Sequence, residues 1–450
     1  MKKVVQLLIL SFCFLTGNAQ TTINVFNRVT FYDGYAARVD SPAPPAGILR
    51  LRNYIYSRKL TDQEIASIGT KLHLNVRIFA LCDNYDRIGN VNMAFVPKDS
   101  SSYNLNNVTR LEIARFITPF MDKNKSPNSV PYDFDIDNIA LLLKDSSLTD
   151  RFNIWMELQV FGVPYAANNE IAGCAGRKDV FQGSMTLTTD SAAPVQSNNM
   201  LKVFANQKNF NNYQASATDT LGKTTRQYNF RVDTALTDAS FFLITSNHGA
   251  NSGGEEYNRR RHYVYVDDSL MLSYVPGRTT CEPFRVYNTQ GNGIYGGSPR
   301  SDDQWQSFSN WCPGDVIDIR RINLGAVDTG SHYFRINVPE AVFVGSQGNF
   351  PLSVYFQGKT SGTIDPPAPI VKDSSGNLRI YPNPARESVT IESLNMSSIR
   401  IYDMTGRLLY KNDQPAEKQQ VSVYQWPRGM YIVQAQNWKG RKVGKLLVER

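Results

Sequence analysis

The amino-acid sequence predicts a mostly β protein. Glycine, proline, serine and asparagine recur about every ten residues, which is typical of short strands joined by turns. Long stretches with helical periodicity are nearly absent, and aromatic residues are plentiful enough to build sizeable cores. The length of 450 residues suggests about three domains.

The chain begins with a segment that has the features of a secretory signal peptide. In residues 1–19, Lys2 and Lys3 precede an apolar run, and the small residues ending at Ala19 suit cleavage there. The apolar run is too short to span a bilayer, and no later stretch is expected to cross one. We therefore expect an exported protein without a membrane span.

The stretch "ALCDNYDRIGNV", residues 80–91, places two aspartates in a strand-like run. In a strand, Asp83 and Asp86 would point to opposite faces, because side chains alternate. They cannot act as a carboxylate pair unless the chain bends, so we expect any partner of Asp86 to come from another segment.

The stretch "RFNIWMELQVFG", residues 151–162, predicts an amphipathic strand. Every second residue from Phe152 to Val160 is apolar, whereas the opposite face carries Trp155 and Glu157. A polar face with an aromatic ring is typical of a sugar-binding surface. By itself, a glutamate on such an exposed strand face is expected only to be solvated.

Two polar, proline-containing segments, residues 188–199 and 358–377, predict domain boundaries. The predicted domains are a signal peptide at 1–19, an N-terminal β-sandwich at 20–189, a second β-sandwich at 190–357, a linker at 358–377 and a tail at 378–450.

Four cysteines remain once the signal peptide, which contains Cys13, is removed. An even number in an exported chain predicts two disulfides, and the absence of a CxxC motif argues against a zinc site. Four cysteines allow three pairings. The most local choice joins Cys281 to Cys312 and leaves Cys82 with Cys174, and each bridge would add roughly 2–4 kcal/mol.

The charge balance does not suggest a nucleic-acid-binding protein. The formal net charge of +8 falls to +6 when Lys2 and Lys3 are removed, and the excess is scattered. The densest basic run, residues 259–261, is too short for a basic face with interleaved aromatics. We therefore interpret it as solvated surface and expect no nucleic-acid partner.

The tail contains several short motifs separated by turns. These are Tyr-Pro-Asn-Pro at residues 381–384, a turn at 403–407, Gly-Met-Tyr at 429–431 and a final basic-apolar strand. Together they resemble the C-terminal sorting domain of type IX secretion in Bacteroidota. The resemblance implies a small immunoglobulin-like β-sandwich that is read by the type IX machinery. It also implies a secreted or cell-surface protein, exported through the periplasm of a Bacteroidota-type bacterium.

Three groups of motifs follow one another across residues 21–358. The most specific pieces are "CDNYDR" at 82–87, "RFITP" at 115–119 and "WCPG" at 311–314. In this order they resemble the peptide:N-glycosidase F (PNGase F) family of secreted bacterial amidases, which remove N-linked glycans. The resemblance implies an all-β fold with two adjacent jelly-roll-like antiparallel β-sandwiches and a cleft at their interface.

The resemblance also implies the site residues, motif by motif. The catalytic acids would be Asp86, Glu157 and Glu256. Asp86 would act at the scissile amide, Glu256 would orient the attacking water, and Glu157 would hold the site and substrate. The expected substrate-binding residues are Tyr85, Trp155, His248, Tyr257 and Trp311.

The implied reaction explains the need for several carboxylates. The scissile amide joins an asparagine side chain to the first N-acetylglucosamine, and its hydrolysis needs an activated water and a proton for the departing glycosylamine. Carboxylates crowded in one cleft cannot all ionise equally easily, so acid and base roles separate. We expect glycan release from N-linked glycoproteins or glycopeptides, conversion of asparagine to aspartate, and no metal or other cofactor.

The sequence departs from the family pattern at four positions. Gly254 and Asn258 stand where the family has cysteines around its catalytic glutamate, and Arg77 replaces another cysteine. Phe308 occupies the position of an arginine that helps to bind substrate, and Arg300 is a candidate replacement. The change to Phe308 therefore bears on glycan specificity and on activity.

The sequence admits three alternatives to the hydrolase. A non-catalytic glycan-binding protein would use the same fold, whereas a structural adhesin would leave the three acidic motifs unexplained. A copper monooxygenase of related architecture would need clustered histidines, but His73, His248, His262 and His332 are far apart in the chain. We therefore expect a hydrolase, and we expect it to be a monomer.

Overall fold

The computed structural model of the protein describes residues 20–190, 198–210, 224–250, 254–290, 301–306, 308–343, 348–360, 378–393, 396–403, 407–412, 415–437 and 440–449. The predicted signal peptide (1–19) and most of the predicted linker (361–377) lie outside the described residues. The chain forms two compact units, Met1–Thr363 and Ile364–Arg450.

The first half of the large unit alternates strands with a few short helices. In chain order these are β1 (Thr21–Tyr32), β2 (Ile48–Arg52), β3 (Ile55–Lys59), α1 (Asp62–Ser67), β4 (Leu72–Ala80), β5 (Ile88–Pro97), β6 (Thr109–Ile117), β7 (Ser129–Asp135), α2 (Asp137–Leu143), α3 (Ser146–Thr149), β8 (Phe152–Val160), α4 (Ala167–Glu170) and β9 (Asp179–Thr189).

The second half of the large unit is also built mainly of strands. They are β10 (Asn199–Asn209), β11 (Thr225–Val232), β12 (Leu236–Thr245), β13 (His262–Val266), β14 (Ser269–Tyr274), a 3₁₀ helix (Glu282–Tyr287), α5 (Asp302–Gln306), β15 (Val316–Ile317), β16 (Arg320–Val327), β17 (Gly330–Asn337) and β18 (Pro351–Thr360).

The first β-sandwich packs the sheet β1-β9-β4-β7 against the sheet β15-β6-β5-β8-β3-β2. Alternating apolar side chains of both sheets meet in one buried core, such as Leu74 and Val76 of β4 and Val91 and Met93 of β5. The short strand β15 belongs to the second half of the chain, yet it pairs with β6. The second half therefore contributes to the sheet that carries the candidate site.

The second β-sandwich packs the sheet β10-β18-β12-β16 against the sheet β11-β17-β13-β14. Its core is rich in phenylalanine, because inward-facing positions of both sheets carry Phe230, Phe241, Phe334 and Phe356. Neighbouring rings in this group have centroids 4.9–5.6 Å apart, in the range of favourable aromatic pairs.

The two β-sandwiches are joined by a buried polar network. Arg115 of β6 and Glu112 form an ion pair in which both side chains are fully buried. Arg115 Nη1 also donates to Ser246 Oγ (2.9 Å) and to the Pro351 carbonyl (2.7 Å), and Ser353 Oγ donates to Glu112. Each buried charge therefore has partners on the other sandwich, so the interface has a defined register.

The small unit forms a third β-sandwich with a core of its own. Its strands are β19 (Arg379–Tyr381), β20 (Ser388–Glu392), β21 (Met396–Asp403), β22 (Leu408–Asn412), β23 (Lys418–Ser422), β24 (Gly429–Asn437) and β25 (Gly440–Val448). They pair in the orders β19-β20-β23 and β22-β21-β24-β25. Residues 404–406 of the predicted turn lie outside the described residues.

These sheets confirm the all-β fold class predicted from the sequence. Helices within the described ranges are short, and none of them has the length and apolar character needed to span a bilayer.

Candidate functional site

The segment between β4 and β5 is an irregular loop, so the strand reading of residues 80–91 is wrong over residues 81–87. The buried carboxylate of Asp83 turns the chain, because it accepts hydrogen bonds from the Tyr85 N–H (3.0 Å), the Val163 N–H (2.7 Å) and Arg87 Nε (2.7 Å). Burial raises the pKa of Asp83 above its usual value, and the Arg87 guanidinium offsets only part of this increase. These hydrogen bonds of Asp83 therefore stabilise the bend of the loop.

Asp86 is half-buried, and hydrogen bonds to Thr118 hold the backbone of the residues on either side of it. Thr118 Oγ1 donates to the Tyr85 carbonyl (3.0 Å) and accepts from the Arg87 N–H (2.7 Å), while the Thr118 N–H donates to the Arg87 carbonyl (2.8 Å). Thr118 belongs to the "RFITP" motif at the end of β6. That motif thus fixes the backbone on both sides of Asp86.

A disulfide and a hydrogen bond also join this loop to the segment that follows β8. Cys82 is bonded to Cys174 in a disulfide, and Asn84 Nδ2 donates to Glu170 Oε2 (2.8 Å). The second disulfide joins Cys281 to Cys312. These are the two pairs that the sequence analysis favoured on grounds of proximity.

The second candidate acid, Glu256, lies in a loop of the second sandwich. Its Oε2 accepts a hydrogen bond from the Gly249 N–H (3.1 Å), and Gly249 has a φ of +116°, which favours glycine. The side chain of Asn310 supports the same loop by donating to the Glu255 carbonyl (2.9 Å). Burial raises the pKa of Glu256 above its usual value.

A cluster of aromatic rings connects the loop of Asp86 with the loop of Glu256. Tyr85 contacts Phe120 (6.4 Å between centroids), Phe120 contacts Phe308 (6.1 Å), and Phe308 contacts Tyr257 (6.3 Å). Phe308 is at the centre of this cluster. Tyr257 is 42% exposed and Tyr85 is partly exposed, so both can line a cleft.

His248 and Trp311, predicted to bind substrate, are buried beneath this region. Their ring planes are inclined by 27° with centroids 5.8 Å apart, and Trp311 Nε1 donates to the Asn247 carbonyl (3.0 Å). Burial and the nearby Arg115 guanidinium lower the pKa of His248 to about 3. Its neutral Nε2 lies 2.8 Å from Ser246 Oγ, so His248 extends the polar network of the interface.

The expected exposed face of β8 is covered, so that expectation is wrong. Trp155 is buried and packs edge-on against Tyr103, and Glu157 is fully buried. The Glu157 carboxylate accepts from Arg110 Nε (2.9 Å) and Nη2 (2.5 Å) and from the Tyr103 hydroxyl (2.7 Å). Tyr103 also lines a cavity of about 580 Å³ beside β2.

The strand register separates Glu157 from the loop of Asp86. Glu157 lies opposite Asn92 of β5, six residues beyond Asp86 along the chain. Tyr85 and Tyr257, which adjoin the two other candidate acids in the chain, belong to one aromatic cluster. Glu157 bonds instead to Arg110 and Tyr103, which are not members of that cluster.

Sequence reasoning missed the residues that position these acids. No motif marks Arg110 or Tyr103, and Asn310 directly precedes the motif that begins at Trp311, which gives no sign of its contact. Each of the three acts on a partner far away in the chain. Thr118 lies within a motif that was recognised, but its contacts on both sides of Asp86 depend on a bend that alternation does not predict. The candidate replacement Arg300 lies outside the described residues.

The described residues give no sign of a metal centre. Within the ranges that the structure covers, no group of three or more His, Cys, Asp or Glu side chains is arranged to hold a metal ion.

Solved structures of PNGF-II and PNGase F have a similar fold. PNGF-II has 21% sequence identity and a TM-score of 0.54, and the match covers 76% of this chain and 66% of that chain. PNGase F of Flavobacterium meningosepticum, named a glycosylasparaginase, has 15% identity and a TM-score of 0.50, with coverage of 77% and 98%. No curated protein matches the chain significantly. At these identities the structural matches establish a shared fold.

Three family models match successive parts of the sequence. Residues 22–175 match the N-terminal domain of peptide-N-glycosidase F, residues 212–357 match its C-terminal domain, and residues 379–449 match a secretion system C-terminal sorting domain. The first two models together span well over half of the chain, in the order in which the two β-sandwiches occur. The chain therefore belongs to the peptide-N-glycosidase F family and ends in a sorting domain of the type IX secretion system.

Proposed function

We propose that the protein is an exported amidohydrolase that releases glycans from N-linked glycoproteins or glycopeptides. The bond cleaved is the amide between the asparagine side chain and the first N-acetylglucosamine. Water adds to the amide carbonyl, the carbon–nitrogen bond breaks, and the products are aspartate and the glycosylamine of the glycan. The observation that carries this proposal is the aromatic cluster connecting the loops of Asp86 and Glu256.

The two acids suit different parts of this reaction. Glu256 has a raised pKa and a carboxylate oriented by the Gly249 N–H, as expected of a group that positions water or transfers a proton. Asp86 has a backbone that Thr118 fixes on both sides, so it can meet the amide nitrogen without reorganisation. We assign Asp86 to proton transfer at the amide and Glu256 to the attacking water.

The remaining predicted residues fall into two groups. Tyr85 and Tyr257 have exposed surface and would flank the first sugar, because aromatic rings offer large and rigid contact faces. His248 and Trp311 are buried beside Phe308 and would support the cleft from behind. Trp155 and Glu157 are buried beside Tyr103, which gives Glu157 a structural role.

The tail supports an extracellular role for this activity. The sorting domain, together with the proposed signal peptide, fits export through the periplasm by type IX secretion. The protein would then meet glycoproteins outside the cell or at its surface, where its two disulfides are stable.

The test is mass spectrometry of an N-glycosylated peptide after incubation with the full chain. We expect free glycan and a peptide in which asparagine has become aspartate. Asp86→Asn and Glu256→Gln should each lower the rate about 100-fold or more, because each removes a group that handles protons. Asp233→Asn, at an exposed aspartate of the second sandwich, is the matched control and should leave the rate unchanged.

One observation favours the non-catalytic alternative. The family's substrate-binding arginine is Phe308 here, and Phe308 is buried among other rings. If the wild-type chain binds the glycopeptide but releases no glycan, the hydrolase proposal is overturned and the protein is a glycan-binding member of the family.

A further inference from the structure

Two tyrosines stand out on the surface near the loop of Asp86. Tyr35, in the turn after β1, is 71% exposed, and Tyr165, in the segment after β8, is 62% exposed. Their rings are nearly parallel, with centroids 6.4 Å apart and planes inclined by 14°. Exposing large aromatic rings to water is unfavourable, so a rigidly held pair of exposed rings indicates a binding function.

The turn that presents Tyr35 is held rigidly. The buried side chain of Asn53 donates its Nδ2 hydrogens to the carbonyls of Asp33 (2.8 Å), Ala37 (3.1 Å) and Ala36 (3.3 Å). The Asp33 carboxylate accepts from the Tyr35 N–H (3.0 Å), which fixes the backbone at the exposed ring itself. A turn with this much internal support displays its side chain in one orientation.

The turn that carries Tyr35 also packs closely against the segment after β8, which carries Tyr165. The Gly34 N–H donates to the Gly162 carbonyl (2.9 Å), and a Cβ at Gly34 would collide with the ring of Phe161. Phe161 in turn meets Tyr35 edge-on at 5.2 Å and Tyr54 edge-on at 5.3 Å. The exposed rings therefore rest on a layer of further aromatic side chains.

The segment that carries Tyr165 is anchored to the loop of Asp86 at three points. Asp83 accepts a hydrogen bond from Val163, two residues before Tyr165. Glu170 accepts from Asn84, and Cys174 is bonded to Cys82. These ties fix Tyr165 relative to the candidate catalytic aspartate without placing it in the cleft.

We propose that Tyr35 and Tyr165 form a carbohydrate subsite for sugar residues beyond the one attached to asparagine. The C–H faces of pyranose rings stack on aromatic rings, and rigid tyrosines bind them with little loss of conformational freedom. Two rings are too small a surface for a stable protein–protein interface, which needs about 800 Å² on each partner. A glycan branch is the occupant that fits both the size of the surface and its link to the site.

This proposal rests on the proposed function of the Asp86 loop, and the test separates the two. The variant is Tyr35→Ala/Tyr165→Ala in the full chain. Its matched control is Tyr35→Phe/Tyr165→Phe, which keeps both rings and removes only the hydroxyls. Both sites are exposed, so thermal melting should give the same transition for all three proteins.

The first measurement is calorimetric titration with a free, branched N-glycan oligosaccharide, which requires no catalysis. We expect the alanine variant to bind about three- to tenfold more weakly than the wild type, and the phenylalanine variant to bind like the wild type. Equal affinities for the wild type and the alanine variant, or no binding by the wild type, would overturn the subsite.

The second measurement compares release from two glycopeptides with the same peptide, one with the branched glycan and one trimmed to its first two sugars. The subsite predicts that the alanine variant loses kcat/KM mainly on the branched substrate. A similar loss on both substrates would overturn it. If the wild type releases neither glycan while the titration shows the expected loss, the hydrolase proposal fails and the subsite stands.

Discussion

At the scale of single residues, Glu157 shows how the same acid can look catalytic in sequence and structural in three dimensions. The strand pattern placed it on a polar face, and the family motif gave it a role in the site. In the fold it is fully buried between Arg110 and Tyr103. A carboxylate with such partners contributes mainly by holding them in place.

We predict that Glu157→Gln destabilises the protein by about 3–5 kcal/mol, because it leaves the Arg110 charge without its buried counter-ion. The measurement is the free energy of unfolding from chemical denaturation, made for Glu157→Gln, Arg110→Gln and the double variant. We expect the two changes to be strongly non-additive. Loss of glycan release with an unchanged free energy of unfolding would instead show direct participation in the reaction.

At the scale of elements, the loop at residues 81–87 was the part that sequence reasoning described least well. Alternation correctly identified the face of β8 that packs in the sandwich core, but it did not show that the opposite face is covered as well. It could not predict the bend, because that depends on Asp83 bonding to Val163, eighty residues away. The disulfides were easier, since parity and proximity restrict four cysteines to few choices.

The disulfide that anchors this loop should also be the more stabilising of the two. Cys82–Cys174 spans a sequence separation of 92, and Cys281–Cys312 spans 31. In the chain-entropy model, the longer closed loop makes the first bond worth about 1 kcal/mol more. We therefore predict that Cys82→Ser/Cys174→Ser lowers the free energy of unfolding by more than Cys281→Ser/Cys312→Ser does, as measured by chemical denaturation.

The same comparison has a second readout in glycan release. Because the Cys82–Cys174 bond fixes the loop that carries Asp86, its removal should slow release even at temperatures where the variant is folded. For the stability prediction, the contradicting outcome is an equal loss of unfolding free energy in the two double variants. Local packing, and not loop closure, would then set the contribution of each disulfide.

At the scale of the whole molecule, the sequence predicted the number of β-sandwiches and the character of the tail. It did not predict that β15, from the second half, joins a sheet of the first sandwich. Nor did it predict the buried network of Glu112 and Arg115 with the second sandwich. Both features pair residues more than a hundred positions apart, for which a single sequence carries no local signal.

We predict that removing residues 361–450 leaves the melting temperature and the glycan-release rate of the remaining protein unchanged. The described core of the tail consists only of tail residues, and the cores of the two larger sandwiches contain none of them. The measurements are calorimetric melting and release kinetics of the chain with and without the tail. A lower melting temperature of the shortened protein would contradict this independence.

The buried Arg115 has a consequence for how such proteins can evolve. The ion pair of Arg115 with Glu112 lies in the first sandwich and completes its hydrogen bonds with groups of the second, so a first sandwich with a foreign partner would bury two charges without those bonds. We therefore expect recombination to exchange the two halves together and not one at a time. The tail has a core of its own, so we expect that it can be exchanged separately.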